Sequence, residues 1–228
     1  MTTRVVLVVP VHGNAATLQP LRERLATALG GRTWRLRLVI DASPDDSLAV
    51  AEALAAADPR VAVTDLTVNV GQHAALAQGL TDEPDADAWV CLDADLQDPP
   101  EAVPLLLDRL AAGDVGAVFA GRRGSYESPG RRLTGAVHRR LAARLTGLPA
   151  DAGAFFAMDA RVRAAVLTAV TEEAAPSVVL GVARAGVPVV SVPVVRDLRP
   201  VGESSWTASA RLRQSVRSLA WAVRTRLR

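Results

Sequence analysis

Lysine is missing from this chain: all 26 basic residues among its 228 are arginine. An arginine-only chain is what a GC-rich genome produces. It also means that every side-chain cation here can grip phosphate bidentately and keep its charge when buried. Cysteine is almost missing too. Cys91 stands alone, which excludes an internal disulfide and a disulfide-stapled scaffold and makes a reducing compartment the expected one. No apolar run approaches the eighteen or so residues a membrane span requires. The opening Met1-Thr-Thr-Arg4 and the short run Val5 to Pro10 do not make a secretory signal. Repeats and low-complexity stretches are also lacking. With 50% apolar and 22% charged residues, the composition excludes a disordered or collagen-like chain. What remains is a globular protein, free in the cytoplasm or lying on the inner face of a membrane.

Charge is present in quantity and unevenly placed. The net is +2, yet residues 1–120 hold 8 Arg against 17 acidic residues, and residues 121–228 hold 18 Arg against 7. The first half is therefore acidic and the second basic. An acidic half suits a metal ion, and a basic half suits a phosphorylated or membrane-bound partner. No nucleic-acid partner is expected.

Apolar periodicity fixes the fold class. Short β-branched runs at Val5–Pro10, Leu36–Ile40, Val61–Leu66, Ala88–Leu92 and Val115–Ala120 alternate with helical spacing at 17–29, 47–57, 72–79 and 100–112. Ser47 is placed to cap the second of these helices. Strand, turn and helix in this order predict an α/β fold: a mostly parallel sheet with helices on both faces. In such sheets ligands sit beyond the carboxyl ends of the strands. The turns after Pro10, Ile40 and Leu92 should therefore share one crevice. After Ala120 the rhythm breaks. Helical spacing returns at 131–145 and 161–171, a strand-like run split by prolines covers Val187–Val195, and a last helix covers 207–228. One domain with a specialised second half is the economical organisation.

Three strand-end segments carry candidate chemistry. In Leu92-Asp-Ala-Asp-Leu-Gln-Asp-Pro-Pro-Glu101 an apolar strand ends in carboxylates at alternate positions. Asp93 and Asp95 could reach one hard cation there, with Gln97 adding a neutral oxygen. Spacing alone leaves an ordinary acidic strand end equally open. Asp41-Ala-Ser-Pro-Asp45 follows another strand, where a carboxylate could accept hydrogen bonds from a base or ribose; a plain turn and helix cap would look the same. Asn69-Val-Gly-Gln-His73 opens a helix whose N-terminus could attract phosphate, and His73 there is as readily a structural hydrogen-bonder.

These segments, with Leu7-Val-Val-Pro-Val11 and the continuation through Gly121-Arg-Arg123, Asp151-Ala-Gly-Ala-Phe155 and Arg199-Pro-Val-Gly-Glu-Ser204, stand in a familiar order. Together they resemble the inverting family 2 glycosyltransferases, and within them the polyprenyl-phosphate and dolichyl-phosphate hexosyltransferases. The likeness covers about residues 4–206. It implies a GT-A fold, with a Rossmann-like nucleotide-sugar half over 1–120 and an acceptor half over 121–206; the basic amphipathic helix read from the residues over 207–228 follows them. It implies that Asp93, Asp95 and Gln97 hold Mg²⁺ or Mn²⁺ on the donor diphosphate, and that Pro10, Asp41 and Gly71 line the nucleotide pocket. Arg123, Arg132 and Arg199, with Ser204, would hold the acceptor phosphate or the diphosphate. Asp95, Asp151 and Arg199 are the candidate catalytic residues. The partners implied are a nucleotide-sugar, UDP- or GDP-linked, and a polyprenyl phosphate.

The sequence also departs from that pattern. His12-Gly13-Asn14 replaces a usual Tyr-Asn-Glu, Ile40 the first of two acids, Phe156 an Arg, and Ser205 a Lys. A phosphate acceptor is already ionised and needs positioning rather than a base. A hydroxyl acceptor needs a base, for which Asp151 is the candidate. A soluble transferase acting on a hydroxyl acceptor is therefore the alternative, and a non-catalytic binding protein of the same fold is the third. The final helix bears on the choice. Leu212, Val216, Leu219, Val223 and Leu227 form an apolar stripe with six Arg mostly off it, suited either to an anionic membrane surface or to the core.

Overall fold

A computed structural model describes residues 4–123, 143–197 and 208–226 of the chain. Seven strands form one sheet in the order β3-β2-β1-β4-β6-β5-β7. They are β1 (Arg4–Val11), β2 (Thr33–Asp41), β3 (Val61–Leu66), β4 (Ala88–Cys91), β5 (Ala117–Arg123), β6 (Phe156–Met158) and β7 (Val189–Val195). All are parallel except β6, which runs antiparallel between β4 and β5. The helices α1 (Ala15–Ala28), α2 (Ser47–Ala57), α3 (Gln72–Asp82) and α4 (Val103–Ala111) connect the first five strands.

The alternation within β1 explains why its run is apolar throughout. Val5, Leu7, Val9 and Val11 enter one core with α1, α2 and α4. Val6 and Val8 enter a second core with α3 and the helices Ala160–Thr171 and Val178–Ala183. Both faces of the sheet are covered, as a parallel sheet requires. α3 is pinned at its far end, where Arg163 donates two hydrogen bonds to the Leu80 carbonyl at 3.0 and 2.6 Å. The Arg163 guanidinium also lies 5.0 Å from the Trp89 ring, whose Nε1–H donates to the Glu83 carbonyl at 2.7 Å.

The first five strands and four helices fall where the periodicity places them. Differences come where tertiary contacts decide. β6 has three residues, too few for an alternation to register, and it exists because β4 and β5 flank it. The helix Val178–Ala183 reads as an apolar run, and Ser177 caps it through the Leu180 N–H at 3.2 Å. Ser47 does not cap α2. Its hydroxyl instead accepts the Asn14 N–H at 3.1 Å and donates to Asp45.

The helix Ala208–Arg226 docks through Trp221 and Ala222, both buried. Trp221 packs with Ala169, Ala175 and Leu180, and its Nε1–H donates to the Glu173 carbonyl at 3.1 Å. Of the stripe seen in the sequence, the described Val216 is 59% and Val223 45% exposed, so neither is part of the docking face. Among the described residues, no helix is long and apolar enough to cross a membrane.

Candidate active site

Six parallel strands deliver their carboxyl ends to one edge of the sheet, and the loops leaving β1, β2, β3 and β4 are stitched together there. The turn after β1 binds the turn after β2: the Gly13 N–H donates to Ser43 Oγ at 2.7 Å and the Ala15 N–H to Asp45 Oδ2 at 3.0 Å. Asp45 thus caps α1 from another loop. Burial opposes its ionisation, but hydrogen bonds from Ser47, Ala15 and Ser43 outweigh that and hold its carboxyl down to about 2. The α1 N-terminus already has its anion.

The turn after β2 in turn binds the loop after β3. Asp41 is buried, and its two oxygens accept the Val70 N–H at 2.7 Å and the Gly71 N–H at 2.9 Å. Gly71 is the residue ahead of α3 and has φ +87° and ψ 154°, a backbone region that needs glycine. The Asp41 carbonyl lies 2.9 Å from His12 Nδ1, which brings the β1 turn to the same point. Pro10 lies on β1 opposite Val39 of β2, directly ahead of these turns.

α3 then leads to the acidic loop. Gln72, its first residue, donates from Nε2 to Asp93 Oδ1 at 2.6 Å. Asp95 is 9% exposed, and its Oδ1 accepts the Gln97 N–H at 3.0 Å. Leu96 between them has φ +61°, a left-handed turn that costs a non-glycine residue about 1–2 kcal/mol. The turn brings Asp95 and Gln97 back on each other. Asp93, Asp95 and Gln97 offer oxygen donors alone, the set a hard cation prefers. Among the described residues no group of three or more His, Cys, Asp or Glu is placed to hold a metal ion. Two carboxylates and an amide fit a Mg²⁺- or Mn²⁺-like ion that takes its remaining ligands from phosphate oxygens and water. They do not fit a permanently caged one.

His73 follows Gln72 on α3. Burial pushes its imidazole down to about 4, so it is neutral at physiological pH, and its Nδ1 is buried without a hydrogen-bond partner. Cys91, at the end of β4, is buried, and burial together with the nearby Asp93 charge raises its thiol far above the usual range. It has no nucleophilic character there.

Asp151 lies on the other half of the sheet. Its carboxylate and the Ser191 hydroxyl sit against Gly121 of β5, where any Cβ would collide with both. Arg123 ends β5 opposite Val195 of β7. Arg132, Arg199 and Ser204 lie outside the described residues. Packing accounts for two of the sequence departures. Phe156 is fully buried, its ring 5.1 Å from that of Phe119, and Ile40 is a core residue of β2.

Sequence reasoning missed Arg196, which directly follows β7. Its Nε lies 2.7 Å from Asp98 Oδ1, and its terminal nitrogen lies 3.9 Å from Asp93 Oδ2. The same strand-end logic that singled out Asp93 would have found it, since an apolar run there also ends in charge.

Comparison with known proteins agrees with this geometry. The family described as Glycosyl transferase family 2 matches residues 6–162. The chain is 31% identical over 216 residues to a Bacillus subtilis (strain 168) protein, uncharacterized glycosyltransferase YkcC, covering 92% of this chain and 65% of that one. It is 38% identical over 140 residues to the undecaprenyl-phosphate 4-deoxy-4-formamido-L-arabinose transferase of Pseudomonas paraeruginosa, covering 58% of this chain and 41% of that one. It thus spans less than two thirds of the length of either relative. Among solved structures, it is similar to glucosyl-3-phosphoglycerate synthase from Mycobacterium tuberculosis in complex with Mn²⁺, uridine diphosphate and glucosyl-3-phosphoglycerate. The TM-score is 0.67 at 19% identity, over 98% of this chain and 80% of that one. At that identity the likeness is one of fold, and the fold is GT-A.

Proposed function

Because the chain belongs to glycosyl transferase family 2, we propose that it transfers a hexose, with inversion, from a UDP- or GDP-linked sugar to a polyprenyl phosphate. The observation that carries this reading is the acidic loop after β4, where Gln72 joins Asp93 to the start of α3 and Asp95 accepts the Gln97 backbone N–H. We read residues 1–120 as the donor half, 121–206 as the acceptor half and 207–228 as a surface helix of the same catalytic unit. Pro10, Asp41 and Gly71 would shape the nucleotide pocket, Asp41 by fixing the backbone ahead of α3. Asp93, Asp95 and Gln97 would hold Mg²⁺ or Mn²⁺, which when bound neutralises the diphosphate leaving group. Arg123, Arg132, Arg199 and Ser204 would hold phosphate, each Arg as a bidentate donor. An acceptor phosphate is ionised at neutral pH, so these residues have to orient it and offset its charge rather than remove a proton.

Substrate on a lipid requires the enzyme to meet a membrane. Val216 and Val223 are exposed on the helix Ala208–Arg226, with Arg213, Arg217 and Arg224 exposed beside them. An apolar strip rimmed by arginine suits peripheral contact with the anionic inner face. The relative whose name includes undecaprenyl phosphate supports the same acceptor class.

A second reading has its own observation. Phe156 is buried against Phe119 at a position where polyprenyl-phosphate enzymes of this kind commonly carry Arg. One expected phosphate ligand is therefore lost, while Asp151 stays available beside Gly121 and Ser191. A hydroxyl acceptor, with Asp151 as general base, uses what is left.

A panel of nucleotide-sugars with Mg²⁺ or Mn²⁺, with and without a short-chain polyprenyl phosphate, separates the readings. Sugar transfer that needs both cation and lipid supports the first. Transfer to a soluble hydroxyl compound without lipid supports the second. Nucleotide binding without turnover on any acceptor leaves a binding protein.

A further inference from the structure

The tail of β7 is tied to the acidic loop by four contacts. Arg196 pairs with the buried Asp98 at 2.7 Å and approaches Asp93 at 3.9 Å. The Asp197 N–H donates to the Gln97 carbonyl at 2.9 Å. Arg24 of α1 bridges Glu101 at 2.6 Å and Asp197 at 2.9 Å. β4 and β7 are not neighbours, since β6 and β5 lie between them. These contacts therefore span the sheet edge rather than extend a ladder. Arg196 has only 16% of its side chain exposed. A charge so placed, with a carboxylate partner 3% exposed, costs several kcal/mol if left unpaired, so the pairing fixes both ends. Three residues further along the chain stands Arg199, and the remainder of the Arg-Pro-Val-Gly-Glu-Ser segment follows it.

We propose that Arg196 is a positioning residue that clamps the tail of β7 onto the Asp93–Glu101 loop and tempers the negative charge on Asp93. It rests on the donor-site reading above for the role of Asp93, and on geometry alone for the clamp. Two consequences follow from one side chain. Its positive charge near Asp93 weakens the attraction of the loop for a divalent cation, by Coulomb repulsion between like charges. Its ion pairs, with the Asp197 amide, hold residues 196–197 in register with the Asp93–Glu101 loop.

The two effects have opposite signs, and that makes the proposal testable. In the full-length chain, Arg196→Gln should bind Mn²⁺, titrated alone without nucleotide, about three- to tenfold more tightly. The same variant should lose at least about tenfold in kcat while KM for the nucleotide-sugar moves less than about threefold, as a positioning loss does. Arg196→Lys keeps the charge, and should bring Mn²⁺ affinity back to the wild-type value with part of the kcat. A residue that merely holds the fold together would weaken cation binding in both variants, and that result overturns the proposal. So does Mn²⁺ binding unchanged in Arg196→Gln, or absent from the wild type. Hydrogen exchange tests the clamp without reference to turnover. Arg196→Gln should speed exchange over 93–101 and 194–197 together, the Asp197 amide included, and leave β1 to β3 unchanged. Unchanged exchange in either segment overturns the clamp. Faster exchange in both, tighter Mn²⁺ and no sugar transfer by the wild type would keep the clamp and remove the transferase reading.

Discussion

Asp41 holds Gly71 across 30 residues of chain: its Oδ2 accepts the Gly71 N–H at 2.9 Å, while its Oδ1 takes the Val70 N–H. The buried carboxylate at the end of β2 thereby sets the backbone from which α3 starts, and α3 carries Gln72 to Asp93. A residue read from the sequence as a nucleotide contact is, in the fold, also the support of the loop beside it.

Asp41→Asn replaces one acceptor by an amide that faces a backbone N–H donor. Losing a charge-assisted hydrogen bond in a buried place should lower unfolding free energy by about 1.5–3 kcal/mol. Nucleotide affinity should fall with it. Urea unfolding followed by calorimetry checks both, and wild-type stability in this variant would show that the carboxylate does not support the loop.

Gly71→Ala tests the same loop from its backbone. Open space surrounds the position where a Cβ would lie, so there is no clash to relieve. The penalty comes from φ +87° with ψ 154°, and such strain costs about 1–3 kcal/mol. Urea midpoints for this variant should drop accordingly, and a crystal structure should show the 69–71 backbone shifted. A variant of wild-type stability with the backbone unmoved would contradict the strain argument.

The helix Ala208–Arg226 has two faces that mutation can separate. Trp221→Ala should cost about 3–5 kcal/mol, as large aromatic truncations in a core do. Val216→Asp with Val223→Asp should leave the melting temperature nearly unchanged, because both side chains are exposed. The same double variant should lose sedimentation with anionic vesicles at low salt, which the wild type should show and high salt should reverse. Vesicle binding that survives the double variant would place the membrane contact elsewhere.

His73 gives a pH signature. Its imidazole is pushed down to about 4 by burial, against about 6.5 in an unfolded chain. Between those values the unfolded state binds the extra proton, so stability falls as pH drops through the window. His73→Gln should flatten that part of the profile, with denaturant midpoints at pH 7, 5.5 and 4.5 as the readout. Parallel losses in wild type and variant would assign the acid sensitivity to other groups.

Much of this was legible in the sequence for a definite reason. β1 to β5 and α1 to α4 follow from local periodicity: β1 and β4 are buried on both faces, β2 alternates over its first half, and each helix buries one face. The acidic loop was legible because an apolar run that stops directly in carboxylates marks the point where a buried strand reaches the sheet edge. β6, the Asp45 cap on α1 and the Arg196–Asp98 pair were not, because each depends on a partner 30 or more residues away. Ser47 reads as a cap because it stands at a helix start, and nothing local says that the Asn14 N–H, 33 residues away, will claim its hydroxyl. For the last helix the stripe was legible but not its side: the sequence left membrane surface and core both open, and Trp221 rather than Val216 or Val223 is what the core accepts.

The account depends most on Asp95, and one calorimetric titration tests it. UDP and GDP should be titrated into the wild type and into Asp95→Asn, each with Mn²⁺ and again with EDTA. If the loop after β4 holds a cation that carries the diphosphate, wild-type affinity for one of the two nucleotides should fall at least about tenfold in EDTA, equivalent to about 1.4 kcal/mol. Asp95→Asn should bind as weakly with Mn²⁺ as the wild type does without it. Equal nucleotide affinity with Mn²⁺ and EDTA, or an Asp95→Asn protein that keeps the full Mn²⁺ effect, would contradict the assignment of this loop as the donor site.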